Sequence, residues 1–116
     1  MKKKSKKQKV RRKKEFRYHS VEATNKRGTI KRIKHPSYIF LEKGNVYIYV
    51  SITHSNNVND VVVIKLRKNP NPKDKRDSYR TLEAKEDTKD KFGKRLRKWS
   101  IDPNDDDEIR KENKKR

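Results

Sequence analysis

The 116-residue sequence contains no cysteine, three glycines and one tryptophan, and only 28% of its residues are hydrophobic. The lack of cysteine excludes a disulfide framework and a thiolate metal site, and it suits a reducing compartment inside the cell. The three isolated glycines exclude a P-loop and a dinucleotide-binding fingerprint, which both need closely spaced glycines. Because apolar residues are so few, we expect part of the chain to lie outside any core.

Long hydrophobic runs are also missing. No stretch approaches the roughly 20 apolar residues that a membrane span needs, and no apolar segment follows the basic N-terminus as in a secretory signal. Histidines occur at positions 19, 35 and 54 without forming a local cluster, so we expect neither a metal nor another cofactor. These features predict a soluble, cytoplasmic protein that does not bind a membrane.

Positive charge dominates what is present. The chain holds 36 Lys and Arg against 16 Asp and Glu, for a net charge of +20, and residues 1–17 alone hold eleven basic side chains and one Glu. With only Val10 inside its basic run, segment 1–17 offers no apolar face, and we expect a disordered basic arm. Such a density of Lys and Arg favours nucleic acid as the partner, because neutralising phosphates releases condensed counterions.

A β-hairpin is the strongest structural signal. Residues 38–41 are rich in aromatic and branched side chains, a turn follows at 43–45, and residues 46–52 alternate with period two. The alternation predicts one face that packs in the core and an opposite face with tyrosines and hydroxyl groups. The core face is Val46, Ile48, Val50 and Ile52, and the opposite face is Tyr47, Tyr49, Ser51 and Thr53.

Weaker patterns complete the predicted fold. Residues 16–20 suggest an edge strand, residues 61–66 a central strand buried on both faces, and residues 79–82 a short strand. Phe92, Leu96 and Trp99 have helical spacing, and Asp102-Pro103 begins a final charged helix that we expect to fray. We predict a mainly β domain over residues 18–101, with a small, strongly curved antiparallel sheet or barrel, followed by a charged helix or tail over 102–116.

Two groups of residues are candidates for binding single-stranded RNA. Exposed tyrosines would stack on bases, and nearby cations would contact phosphates. The tyrosines are Tyr47 and Tyr49, and the cations are Lys43, Lys73, Arg76 and Arg80. An alternative is that these tyrosines pack against a neighbouring strand or helix.

Thr53-His54-Ser55 is a candidate for chemistry because it lies where a strand leaves the sheet. RNA cleavage needs a base for the 2′-hydroxyl proton, an acid for the leaving oxygen, and hydroxyl or cationic groups on the phosphate. Thr, His and Ser are suitable, although they are also ordinary residues at the start of a loop. His35-Pro36, which precedes the hairpin, is either a rigid turn or part of the same site.

The order Lys34-His35-Pro36-Ser37-Tyr38-Ile39-Phe40, a turn, Val46–Ile52 and then Thr53-His54-Ser55 resembles the PemK/MazF-like toxin family. The resemblance covers about residues 28–66. It implies an SH3-like barrel that cleaves single-stranded RNA without metal, an antitoxin partner and a homodimer. By position, His35 matches the family's catalytic arginine, Thr53 matches its catalytic threonine, and Ser55 lies near its following polar residue.

Three functions therefore stay open. The first is a toxin-like endoribonuclease with Thr53 and His35 at its centre, assisted by His54 and Ser55. The second is a nucleic-acid-binding module without catalysis. The third is a protein-interaction domain that uses Phe92, Leu96 and Trp99, although these side chains equally suit a core.

Overall fold

The structure is a computed structural model that describes residues 9–24, 26–56 and 61–114. Within these ranges the chain forms seven strands and one α-helix, with a 3₁₀ turn at Lys89–Lys91. The elements are β1 (Val10–Thr24), β2 (Ile30–Lys43), β3 (Val46–Thr53), β4 (Val63–Lys65), β5 (Tyr79–Thr81), β6 (Lys85–Thr88), β7 (Phe92–Arg95) and α1 (Pro103–Glu112). The prediction of a mainly β fold with a C-terminal helix is confirmed.

All strand pairs are antiparallel, and the strands lie in the order β4-β5-β3-β2-β1-β7. β3 has two partners on its other edge, because β6 pairs with residues 46–49 and β5 pairs with residues 52–53. The predicted hairpin is confirmed as β2 and β3, and Gly44 supplies the positive φ of 57° that the turn requires. The short strand predicted at 79–82 is present as β5.

The core lies on the face of the sheet that the alternation in β3 predicts. Ile48, Val50 and Ile52 are buried, whereas Val46 is half-buried at the start of the strand. The other members of this core come from distant parts of the chain. They are Phe16, Tyr38, Phe40, Leu66, Ala84 and Ile109, with Leu41, Leu96, Trp99 and Ile101 packed at the edge.

The prediction of a disordered arm over residues 1–17 is wrong from residue 10 onward, and residues 1–8 lie outside the described residues. Residues 10–17 form the first half of β1, which pairs with β2 and is flanked by β7. Phe16 packs in the core, and the buried Glu15 forms ion pairs with Lys13 and Arg17. Pairing with a distant strand therefore stabilises a segment whose own sequence has no apolar periodicity.

Two further predictions are wrong. Segment 61–66 is not a central strand, because β4 covers only residues 63–65 at the end of the sheet and Val62 is 62% exposed. Segment 92–99 is not helical, because Phe92 begins β7 and pairs with His19 of β1. Leu96 and Trp99 nevertheless pack against the core, as a buried role would require.

Helix α1 begins as predicted, with the Asp102 side chain accepting a hydrogen bond from Asn104 N at 2.8 Å and with Pro103 in the first turn. Ile109 is fully buried, but the helix has polar anchors as well. The buried Asp106 accepts a hydrogen bond from Tyr38 Oη at 2.6 Å and pairs with Arg110. Arg110 in turn donates to the carbonyl of Phe40. These contacts explain why a helix with a single apolar anchor packs on the sheet.

Tyr38→Phe should lower the free energy of unfolding by about 1–2 kcal/mol, because it removes a buried hydrogen bond to a charged group while Arg110 still pairs with Asp106. Urea denaturation measures the change. Tyr18→Phe, at an exposed position, is the matched control and should stay within about 0.5 kcal/mol of the wild type. Equal effects of the two substitutions would contradict a role for this bond in holding α1.

Candidate functional site

His35 and Thr53 lie next to each other on adjacent strands. The β2–β3 ladder pairs Ser37 with Ser51, and the same register continued by two residues sets His35 opposite Thr53. Opposite residues in an antiparallel pair share one face and have Cβ atoms about 4.5–5.5 Å apart. Both side chains are half-buried, and both line the same two hollows on the surface.

The first of these, the central hollow, has a volume of about 400 Å³. His35, Thr53, His54 and Ser55 all line it, so the structure brings together the four residues that the sequence suggests for chemistry. Pro36, Ile52, Asn69 and Trp99 complete its lining. Asn69 and Trp99 were not among the predicted site residues, because the two loops that carry them, between β4 and β5 and between β7 and α1, have no sequence pattern that relates them to β3.

Hydrogen bonds orient the groups in the central hollow. The backbone N–H of Ser55 donates to Thr53 Oγ1 at 3.2 Å, which leaves the Thr53 hydroxyl hydrogen able to turn toward the hollow. His35 Nδ1 lies 3.3 Å from the carbonyl oxygen of Pro36. Because a carbonyl only accepts, Nδ1 carries the hydrogen in this contact, and Nε2 of the neutral ring is then the acceptor.

His54 is held at both ring nitrogens. Nδ1 lies 3.4 Å from the carbonyl oxygen of Asp77, and Nε2 lies 3.3 Å from a carboxylate oxygen of Asp74. Both partners are acceptors, so both contacts are hydrogen bonds only when both ring nitrogens carry hydrogens. His54 therefore connects the end of β3 to the loop over residues 66–78.

That loop forms a second hollow, the loop hollow, of about 430 Å³, which shares Asn69 with the central hollow. Four basic side chains line it together with two carboxylates. The basic ones are Arg67, Lys68, Lys75 and Arg76, and the carboxylates are Asp74 and Asp77. Side-chain and backbone hydrogen bonds from Arg76 hold the pKa of Asp74 well below its ordinary value. The loop hollow is thus a polar site with an excess of positive charge.

A third hollow, the apolar hollow, adjoins the central one at His35 and Thr53 and has a volume of about 480 Å³. Val21, Val61, Val62 and Leu82 provide its apolar surface, and all but Val21 are among the most exposed large hydrophobic side chains of the described residues. Tyr49 also lines it, and Ser51, Thr81, Glu83 and Lys85 place polar groups around it. The three hollows adjoin one another through these shared lining residues, and we refer to them together as the groove.

The predicted tyrosine platform is wrong for Tyr49. Its side chain is 6% exposed and packs against the rings of His19 and Phe92, with centroid distances of 4.6 and 5.3 Å. Burial, together with the charge of Asp87, raises the pKa of Tyr49 to about 12. The prediction failed because His19 of β1 and Phe92 of β7 cover the face of β3 that the alternation assigned to solvent.

Tyr47 is half-buried and also differs from an open stacking surface. Phe92 contacts its ring edge-on at 5.2 Å, and the cationic groups of Arg17 and Lys89 lie 5.7 and 5.5 Å from its centroid. Lys89 pairs with Glu42, and Arg17 pairs with Glu15. These ion pairs hold cations over the tyrosine ring, where a nucleobase would otherwise stack.

The predicted cations are dispersed. Arg80 is 1% exposed and pairs with Glu112 of α1 at 2.8 Å, so the prediction that it contacts phosphate is wrong. Lys43 ends β2 opposite Val46, which is seven residues or roughly 23 Å along β3 from Thr53. Lys73 is exposed on the loop, and Arg76, although paired with Asp74, lines the loop hollow.

His19, the third histidine, has a structural environment. It is 3% exposed, its Nε2 donates to a carboxylate oxygen of Asp87 at 2.8 Å, and its ring stacks on Phe92 with a centroid distance of 4.5 Å. Burial alone raises the pKa of Asp87, but hydrogen bonds from His19 and from the backbone of Thr88 lower it overall. His19 therefore joins β1 to β6 and does not open into the central hollow.

Among residues 9–24, 26–56 and 61–114, no group of three or more His, Asp or Glu side chains could hold a metal ion. The same part of the chain contains no helix that is long and apolar enough to cross a bilayer. Comparisons of the chain with protein-family models, with curated proteins and with solved structures found no match.

Tyr49→Leu should change the affinity for a single-stranded RNA probe by less than about twofold, because Tyr49 is only 6% exposed where it lines the apolar hollow and its ring packs against His19 and Phe92. A base stacked on an aromatic side chain is worth about 1–3 kcal/mol, or roughly 5-fold to 150-fold in affinity. Fluorescence anisotropy measures the affinity, and circular dichroism confirms that the variant is folded. A fivefold or greater loss in the folded variant would contradict the buried placement of Tyr49.

The ion pairs around Tyr47 predict a pH dependence. Burial raises the pKa of Glu15, but hydrogen bonds from Lys13 and Arg17 lower it overall. The Glu15 charge therefore stabilises the fold above the ordinary glutamate pKa of about 4.3, and this contribution is lost as the pH falls through the lowered value. Glu15→Gln should cost about 1–3 kcal/mol at pH 7, and the difference from wild type should shrink below about pH 4.

Urea denaturation of both proteins at pH 7 and pH 3 measures this change. Glu22→Gln is the control, because Glu22 is exposed and its pair with Arg32 spans 3.5 Å, which predicts an effect below about 1 kcal/mol at either pH. A Glu15→Gln difference of the same size at pH 7 and pH 3 would rule out the ionised carboxylate as its source.

Proposed function

We propose that this protein is a toxin-like endoribonuclease that binds and cleaves single-stranded RNA in the groove centred on His35 and Thr53. The observation that supports the proposal most is the convergence of His35, Thr53, His54 and Ser55 on one hollow of about 400 Å³. These residues come from two strands and a loop, and they include an imidazole and a hydroxyl that RNA cleavage can use. The resemblance to the PemK/MazF-like family supports the same assignment for His35 and Thr53.

The hydrogen bonds suggest a role for each group. His35 Nε2 removes the proton from the ribose 2′-hydroxyl, and the 2′-oxygen attacks the adjacent phosphorus. The bond from phosphorus to the 5′-oxygen breaks, which leaves a 2′,3′-cyclic phosphate and a 5′-hydroxyl end. Thr53 Oγ donates to a phosphate oxygen as charge develops on it. The leaving oxygen takes a proton from His54 when its 3.3 Å contact with Asp74 is exchanged for the substrate.

The three hollows suit successive parts of a nucleotide strand. The loop hollow offers Lys75 and Arg76 to a phosphate, the central hollow accepts the ribose and the scissile phosphate, and the apolar hollow accepts a base. Ser51, Thr81, Glu83 and Lys85 could donate to or accept from the edge of that base. An antitoxin protein and a second copy of the chain belong to the same proposal as partners.

The SH3-like barrel belongs to the proposal as well, and the strand connections support a strongly curved sheet. β6 pairs with β3 and β7 pairs with β1, so four strand spacings, or about 19 Å, would separate β6 from β7 in a flat sheet. The four residue steps from Thr88 to Phe92 span at most about 14 Å. The contact between His19 of β1 and Tyr49 of β3, across β2, favours the same curvature.

A nucleic-acid-binding module without catalysis is the second candidate. Two observations favour it: the described lining of the central hollow contains no Lys or Arg, and His35 stands where the toxin family has an arginine. An imidazole cannot hold a phosphate with the two parallel hydrogen bonds of a guanidinium. In this function the groove binds RNA and leaves it intact.

Incubation with a single-stranded RNA in the presence of EDTA tests the proposal. We expect fragments with 5′-hydroxyl ends, and a loss of about 100-fold or more in cleavage rate for Thr53→Ala and for His35→Ala. Thr88→Ala, at the end of β6 and outside the three hollows, is the matched control and should cleave normally. Intact RNA in a salt-sensitive complex with the wild type would select the binding module instead.

A 2′-deoxy nucleotide at the cleaved position sharpens the experiment. It removes the attacking hydroxyl and should stop cleavage without weakening binding, because the phosphates are unchanged. Continued cleavage of the deoxy substrate would exclude the mechanism through the 2′-oxygen.

A further inference from the structure

The β1–β2 pair extends past the groove as a two-stranded ribbon. The ladder continues from Ser20↔Lys34 to Thr24↔Ile30, beyond the positions where β7 and β3 pair with these strands. Residues 30–34 are all exposed. Segment 20–34 holds five basic side chains and one Glu, so the ribbon carries a net charge of +4.

The ribbon begins at the groove itself. His35 follows Lys34 directly, and Val21 and His35 both line the apolar hollow. Opposite residues share a face, so Val21 and Ile33 continue the groove side. The outer face carries Arg32 and Lys34, with Ser20, Glu22 and Thr24 on the partner strand, and Glu22 pairs with Arg32 at 3.5 Å.

We propose that this ribbon is a second nucleic-acid site, which binds the phosphate backbone of a double helix. Its outer cations are two residues apart, a spacing of about 6.6 Å along a strand. Two nucleotides of one strand rise by about 6.8 Å along the helix axis, so the spacing of the two cations matches the spacing of every second phosphate. Hydroxyl side chains such as Ser20 and Thr24 are also common phosphate contacts.

The ligand that best fits the ribbon is a duplex. Proteins that bind single strands without sequence preference stack bases on aromatic side chains, and segment 20–34 contains no Phe, Trp or Tyr. A two-stranded ribbon fits the major groove of B-form DNA, about 12 Å wide, or lies across the wide minor groove of A-form RNA. The shared ligand chemistry is two antiparallel rows of phosphates.

The ribbon site does not depend on cleavage at Thr53. It adds to the proposed function only if the groove also cleaves RNA. A strand in the groove would then continue into a duplex along the ribbon. A second copy of the chain is a poor occupant, because two ribbons of charge +4 repel each other. An acidic protein is the remaining competitor for the same charge.

The test compares two triple variants with the same loss of charge. Lys31→Gln/Arg32→Gln/Lys34→Gln removes ribbon cations, and Lys94→Gln/Arg97→Gln/Lys98→Gln removes exposed cations elsewhere. Binding is measured by anisotropy over a range of salt concentrations. The probes are a 20-base-pair RNA duplex, a DNA duplex of the same sequence, the single strand and poly-glutamate.

We expect the ribbon variant to bind a duplex about tenfold or more weakly than the control variant, with a salt slope that falls by about 2 because Arg32 and Lys34 are the two outer cations. Weaker binding to the RNA duplex, to the DNA duplex or to both supports the proposed site and identifies which kind of duplex it binds. Equal losses for the two variants overturn the proposal. So does an equal loss with the single strand or with poly-glutamate, which would indicate a general anion or acidic-protein surface.

Because the substituted side chains are exposed, both variants should fold, and their melting temperatures check this. A double variant, Lys26→Gln/Lys34→Gln, repeats the comparison with less change to the ribbon. It should lower the salt slope for a duplex by about 2, and an unchanged slope counts against the proposal.

Discussion

The register between β2 and β3 is the constraint on which the rest of the molecule depends. Side chains in a strand alternate between faces, so a slip by one residue would send Ile48, Val50 and Ile52 of β3 out of the core. Burial of each such side chain is worth about 1.5–3 kcal/mol, and three together approach the whole stability of a small domain, about 5–15 kcal/mol. Hydrophobic burial therefore sets the register, and the register in turn places Thr53 and His35 on one face. The groove needs no stabilising interaction of its own to bring them together.

Ion pairs between carboxylates and cations allow a chain with a net charge of +20 to fold. Glu15, Asp105 and Asp106 are buried and each is bound by at least one basic side chain, Arg67 in the case of Asp105. An unpaired buried carboxylate would cost several kcal/mol, so these pairs determine where β1 and α1 can pack. They also leave an excess of cations in other places, including the ribbon over residues 20–34, and that excess is available to a polyanion.

The sequence predicted what depends on local pattern. Period-two alternation located the β2–β3 hairpin and its core face, and Asp102-Pro103 located the start of α1. It failed where distant contacts decide. Residues 10–15 have no apolar periodicity, but they form part of β1 because they pair with β2. The three side chains at helical spacing in segment 92–99 do not form a helix, because Phe92 pairs with β1 as the start of β7. Phe92 also covers Tyr49, which lies 43 residues away in the sequence. Arg80 was taken for a surface cation because nothing local indicates that Glu112 pairs with it. The sequence predicts a group of four site residues that do line one hollow: His35, Thr53, His54 and Ser55. It does not predict Asn69 and Trp99, because only the packing of irregular segments places them in that hollow.

The groups that are suited to chemistry and the cations that attract phosphate lie in different parts of the groove and its surroundings. The central hollow contains imidazoles and hydroxyls, and its cations lie in the adjoining loop hollow and on the ribbon. Fields of such charges act over a Debye length of about 8–10 Å at physiological salt, so cations at the edges can hold a phosphate strand over a centre that carries none of them. A histidine at position 35 fits this division, because an imidazole can exchange a proton near neutral pH and a guanidinium cannot. Binding strength then depends on the periphery, and any cleavage depends on the protons that His35, Thr53 and His54 can exchange.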